Sequence, residues 1–142
     1  MILETMYTGM GFNHVLICIK DGRKNLMVGK FGFGQNVQEL IQGFHFPMAD
    51  QPDVFHVALK NNADILITDI DDPKIASHIP AWYRQSVSAR TFLIFPVVIR
   101  GKPIAMIYAD RTKPGEITVP EKELSLLKCL RNQAVLAIKQ TL

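Results

Sequence analysis

Apolar positions fall in short dense blocks punctuated by Gly, Pro, Asn and Asp, and the spacing within the blocks changes along the chain. Phe12–Lys20 (FNHVLICIK) and Asn25–Phe33 are rich in β-branched and aromatic residues and predict two strands, with Asp21-Gly22 as a hairpin turn between them. Gly29, Gly32 and Gly34 predict that the second strand is bent or lies at an edge. Ahead of these, Leu3–Met10 predicts only the last turns of a helix, because Gly9 and Gly11 end it. So short a helix is marginal alone, which leads to the expectation that the chain was cut from a longer protein with another domain before it.

The middle of the chain has a different character. Val37–Gly43 has helical spacing, and Phe44-His45-Phe46 predicts a short extended piece before Pro47. Asp53 is placed to cap a helix over Val54–Asn61, with Val54, Phe55, Ala58 and Leu59 on one face. Ile65–Thr68 predicts a short buried strand ending at Asp69. Beyond it, Asp72 as a cap, Pro73 at a first helical position and Pro80 as an interruption predict two short helices or helical turns.

Thr91–Arg100 (TFLIFPVVIR) and Lys102–Asp110 (KPIAMIYAD) are apolar runs joined at Gly101, so they predict an antiparallel hairpin. Neither run alternates between polar and apolar residues, which requires both faces of the sheet to be covered there. Pro96 forfeits a ladder donor and predicts a bulge or an edge-facing position. After the turn at Pro114-Gly115, Thr118 and Glu121 predict a capping box opening a helix to about Gln140. Leu124, Leu127, Leu130, Ala134, Ala137 and Ile138 line one stripe of that helix, and Leu126, Val135 and Leu136 widen it. Covering one side of a sheet needs about one apolar stripe, so the surplus predicts a second helix there, from upstream or from another subunit.

A chain of 142 residues, 48% hydrophobic and 20% charged, is sized for one globular domain. No apolar run approaches the roughly 20 residues of a membrane-spanning helix, and the N-terminus lacks the pattern of a signal peptide. Cys18 and Cys129 sit inside apolar segments without C-x-x-C spacing and read as buried thiols of a reduced compartment, so the expected location is the cytoplasm. The net charge of +3 is scattered, and Asp21 interrupts the densest basic stretch, Lys20–Lys24; no nucleic-acid partner is expected. The chain carries no Gly-rich phosphate loop, no G-x-S-x-G and no H-E-x-x-H. His14, His45, His56 and His78 lack metal-ligand spacing, and Asp69, Asp71 and Asp72 read as a helix start rather than a metal site. No cofactor, metal or catalytic residue is expected. His14, at a strand start, reads as a satisfied strand residue rather than a sensor.

The order of these segments resembles a GAF domain over nearly the whole chain. Phe12–Ile19 resembles the family's first strand, and Ala63–Asp69 (ADILITD) after its helix resembles the short strand ending in Asp. Arg90–Val97 (RTFLIFPV) resembles the S-x-L-x-x-P-L strand and Gly101–Asp110 (GKPIAMIYAD) the G-x-x-I-G-V-L strand. Glu121–Ala137 resembles the terminal helix. In finer detail FHVALKNNADILITD, IPAWYRQSVSARTFLIFPVVIRGKPIAMIYADR and LRNQAVLAIKQ are similar to the domain that follows an HDOD domain in bacterial signalling proteins.

The resemblance implies an α+β (α/β/α) three-layer sandwich around an antiparallel sheet of five to six strands. Terminal helices would cover one face and pair subunits into a homodimer, and the helical middle would close a pocket over the other. Phe55, His56, Trp82, Tyr83, Arg84, Arg90 and Tyr108 fall in or beside the elements that would wall that pocket. An aromatic cage with arginines suits a small anionic or planar ligand. The alternative is that Trp82 and Tyr83 plug the sandwich, Arg84 pairs with a surface acid and the domain works by contact alone. The side of its helix on which His56 lies stays open. Some GAF proteins reduce free methionine sulfoxide with cysteines in the pocket loops; Cys18 and Cys129 do not match those positions. Asp110–Pro114 (DRTKP) stands where cyclic-nucleotide GAF domains carry N-K-x-F-D-E. The expected role is therefore a non-enzymatic sensor domain in signal transduction.

Overall fold

In the computed structural model, which describes residues 2–117 and 121–141, two antiparallel hairpins form the centre of one sheet. The first pairs β1 (His14–Asp21) with β2 (Leu26–Gly34), and its turn is held by the Asp21 carboxylate, which accepts from the Arg23 amide at 3.0 Å. The second pairs β5 (Thr91–Ile99) with β6 (Lys102–Arg111) through Arg100-Gly101. Both turn residues have positive φ, 54° and 75°, the tight mirror-image turn whose twist matches that of the strands. β1 lies beside β6, and the short strands β3 (His45–Pro47) and β4 (Ile65–Ile67) complete the order β3-β2-β1-β6-β5-β4.

The expected bend in β2 is real. Ile17 pairs with Phe31 and Cys18 with Gly29, so Lys30 is an extra residue in the ladder. β3 reaches only Leu26–Val28, which leaves the Phe31–Gly34 half of β2 as sheet edge. Pro96 pairs with Met106 beyond the end of β4, where its missing amide costs no partner in that strand.

Seven consecutive residues of β5, Thr91–Val97, are buried, as the lack of alternation predicts. Even-numbered residues of β1, β5 and β6 (Leu16, Cys18, Phe92, Ile94, Met106, Tyr108) meet the helical middle. Odd-numbered ones (Val15, Leu93, Phe95, Ile107, Ala109) meet the terminal helices. Two separate cores thus share one sheet, and the molecule is a three-layer α+β sandwich.

The layer on the even face comprises α2 (Val37–Gly43), α3 (Val54–Asn61), a single 3₁₀ turn at Ala76–His78 and α4 (Ala81–Ser86). Asp53 caps α3 as predicted, accepting from the His56 amide at 3.0 Å. The odd face carries α1 (Ile2–Met10) and α5 (Glu121–Thr141), with Tyr7 and Met10 of α1 packed into the same core as Leu127 and Ala134 of α5. α1 is therefore a second helix on that face. It does not absorb the whole surplus, since Leu126 and Leu136 stay 46% and 59% exposed. Two readings need correction: Cys129 is exposed on the side of α5 away from Leu127 and Ala134, and Ala137, in the last turns of the helix, is exposed as well. The capping box read at Thr118 and Glu121 falls outside the described residues.

Candidate functional site

Aromatic rings fill the space between the sheet and the helical middle. Phe55 of α3 stacks on Phe92 of β5 at 5.5 Å between centroids, and Phe44 packs edge-on against it at 5.8 Å. Trp82 of α4 stacks over Phe46 of β3 at 5.4 Å, and Tyr83 lies 4.8 Å from Phe92. Tyr108 of β6 closes the cluster at 4.6 Å from Phe44. Phe44, Phe55, Tyr83, Phe92 and Tyr108 are all inaccessible to water, and only Trp82 reaches the surface in part. Four of the residues read as pocket walls, Phe55, Trp82, Tyr83 and Tyr108, are thus brought together, but they fill the space they were expected to line.

His56 settles the question that its helix left open: it is buried, on the inner side. Its Nδ1 lies 2.8 Å from the Asp53 carboxylate and its Nε2 2.7 Å from the Pro47 carbonyl, so the ring ties the start of α3 to β3. Arg84 and Arg90 stand apart from the rings. Arg84 donates to the Asp71 carboxylate at 2.8 Å and to the Ile70 carbonyl at 2.9 Å. Arg90 pairs with Asp69 and Asp71, both at 3.1 Å. The guanidinium of Arg84 holds the Asp71 carboxyl below its usual range. The acidic turn at 69–72 is therefore neutralised by arginines from α4 and the start of β5, and it folds on itself through Asx turns at Asp69 and Asp72.

A polar chain runs along the even face from the ring cluster to the surface. Tyr108 donates to Oδ2 of Asp110 at 2.7 Å, which leaves its oxygen to accept from Tyr83 at 2.8 Å. Burial drives both phenol pKa values upward, so both stay protonated as donors. Asp110 is fully buried, and its Oδ1 lies 2.9 Å from Nδ1 of His14. Nε2 of His14 in turn lies 2.8 Å from the Gln35 carbonyl. The hydrogen bond to Asp110 raises the His14 pKa against the opposing effect of burial. Here a cleft of about 310 Å³ opens between α2, α4 and the ends of β1 and β6. Asn13, Asn36, Glu39, Ser86, Ser88 and Thr112 contribute to its walls, and among the described residues no Lys or Arg does.

The family model for the GAF domain matches residues 1–138. The chain belongs to the GAF family. This is a family of sensor and regulatory domains of signalling proteins. No curated protein matches the chain in sequence. Among solved structures, the GAF domain/HD domain protein from Geobacter sulfurreducens is similar at a TM-score of 0.78 and 13% identity, over 98% of this chain and 88% of that one. The GAF domain of an Acinetobacter phosphoenolpyruvate-protein phosphotransferase gives 0.74 at 16%, over 98% and 78%. A free methionine-R-sulfoxide reductase from Neisseria meningitidis gives 0.68 at 16%, over 99% and 77%. At these identities the likeness is one of fold.

In this GAF domain Cys18 is fully buried on β1, and burial raises its thiol pKa far above the ordinary range, away from a reactive thiolate. The polar chain was not legible in the sequence, because His14 and Asp110 are 96 positions apart. Their juxtaposition follows from the β1–β6 register, in which they are direct partners. Phe44, Phe46 and Phe92 were also missed as members of the ring cluster; the apolar pair flanking His45 was the available signal. Among the described residues, no helix is long and apolar enough to cross a membrane.

Proposed function

We propose that this GAF domain is a non-enzymatic regulatory module of a cytoplasmic bacterial signalling protein that works by contact, with a filled core in place of an internal ligand. The observation that carries this reading is the ring cluster of Phe44, Phe46, Phe55, Trp82, Tyr83, Phe92 and Tyr108, which occupies the space between sheet and lid. Both candidate arginines pair with the acidic turn at Asp69 and Asp71 and stand apart from the rings. Subunits pair through the α1/α5 layer, a reading supported by the apolar side chains of Leu126 and Leu136 in water. The segments similar to the domain that follows an HDOD domain support an HDOD neighbour upstream.

A second reading keeps a small-molecule ligand but moves it to the cleft beside His14, which is open and lined mainly by polar side chains. Among the described residues its lining holds Glu39 and no Lys or Arg, which suits a neutral or cationic polar ligand better than the small anionic one that was one of the two kinds expected. A thermal-shift screen over metabolites discriminates. The contact reading predicts no stabilisation by any of them. A rise in melting temperature that Ser88→Tyr abolishes would establish the ligand reading and overturn the first.

A further inference from the structure

His14 faces two acceptors at once. One ring nitrogen lies on the Asp110 carboxylate at 2.9 Å and the other on the Gln35 carbonyl at 2.8 Å. Neither Gln35 oxygen nor ionised Asp110 has a proton to give, so satisfying both contacts requires one proton more than a neutral imidazole beside a carboxylate provides. Tyr108, donating to the other Asp110 oxygen, favours the ionised carboxylate and so puts that proton on the imidazole. Gly34, at φ +135°, makes room for the ring: a Cβ there would lie 2.6 Å from its Cδ2.

The far end of this arrangement is the start of α2. Its N-cap, Asn36, is in the left-handed region at φ 56° and makes no side-chain capping bond. The first turn thus lacks the usual side-chain anchor, and the Gln35 carbonyl held by His14 ties it to the sheet. α2 in turn presses on β2 at Gly29, where a Cβ would lie 2.8 Å from the Ile41 carbonyl, and on α4, where Gly43 meets Ser86.

We propose that the His14–Asp110 pair is a proton-operated latch on the helical lid. With the proton bound, His14 bridges Asp110 to Gln35 and α2 is fastened to the end of the sheet. When the proton leaves through the cleft to solvent, a lone pair of the neutral ring faces an oxygen. Asp110 is buried and also held by Tyr108, so the Gln35 contact on the exposed side breaks and the first turn of α2 is released. Glu39 of α2 is the other ionisable group in the cleft walls, and α4 and the residues after β6 contribute only Ser86, Val87, Ser88 and Thr112 there. The device needs no ligand and stands whether or not the cleft binds one.

Hydrogen exchange followed by mass spectrometry on this chain tests it, with rates corrected for intrinsic pH dependence. Between about pH 6 and pH 9 the amides of 37–43 should lose about tenfold in protection, the worth of one charge-assisted hydrogen bond, while β5 and β6 hold theirs. Asp110→Asn supplies an amide that donates to neutral Nδ1, leaving Nε2–H for Gln35; its α2 should stay protected at both pH values. His14→Gln has no titratable ring and should show weak protection at both. Unchanged protection in the unsubstituted chain, a loss spread equally over β5 and β6, or an Asp110→Asn chain that opens with pH would each overturn the latch. Should Asp110→Asn fail to fold, the unsubstituted chain and His14→Gln still decide.

Discussion

His14 shows how one side chain departs from what its local sequence announces. At a strand start it reads as a residue whose polar atoms are simply satisfied, and both ring nitrogens are indeed engaged. The partners that satisfy it, however, make its charge part of the structure. Its pKa is raised in the folded chain chiefly by the bond to Asp110. A raised value means that the stabilisation is fully present below the unfolded value of about 6.5 and is lost as pH rises through the folded value. Urea unfolding at a series of pH values should show this decline, and His14→Gln should remove its share; an unchanged slope in the variant would refute the assignment. Tyr108→Phe tests the next link. It leaves the buried Asp110 one donor short and should cost about 1–3 kcal/mol by the same measurement.

Elements with strong local signals were read to within a residue or two. α3 is an example, because the Asp53 cap and the Val54, Phe55, Ala58, Leu59 stripe state its start and its inner face together. β5 and β6 were equally plain, since Gly101 leaves no room for anything but a hairpin. What each element touches was less legible. Nothing local says that Arg84 leaves the ring cluster for Asp71 while its neighbours Trp82 and Tyr83 enter it; that depends on where the 69–72 turn is placed by the fold. The energetic consequence is a contrast within the lid. Phe55→Ala empties a fully buried site and should cost about 3–5 kcal/mol, whereas Arg84→Ala breaks a solvent-screened pair and should cost below about 1 kcal/mol. Thermal or urea unfolding of the two variants side by side checks it, and comparable losses would mean that the arginine pair, not the rings, fastens the lid. Gly29→Ala probes the α2–β2 approach: the new Cβ meets the Ile41 backbone, so a loss of about 1–3 kcal/mol is expected from the same assay.

At the scale of the molecule, the sandwich was legible because apolar runs without alternation demand cover on both faces, and the structure supplies it as two cores. Whether the even face would be hollow or filled was not legible, since the same aromatic residues serve a cage and a plug equally well. The two layers also differ in finish. The lid side buries its large rings, while α5 leaves Leu126 and Leu136 in water. Light scattering should therefore find a dimer, and Leu126→Glu with Leu136→Glu should return it to a monomer of unchanged circular dichroism; a monomer at high concentration in the unsubstituted chain would remove that interface.

Arg131 gives α5 an additional property. Its guanidinium pairs with Asp64 in the corner between α3 and β4 and lies 6.0 Å from the ring of Phe95 beneath it. A helix turns by about 100° per residue, so rolling α5 by even one position would swing Arg131 off both partners. The Asp64 pair and the Phe95 ring thus favour one rotational setting of the closing helix over its neighbours.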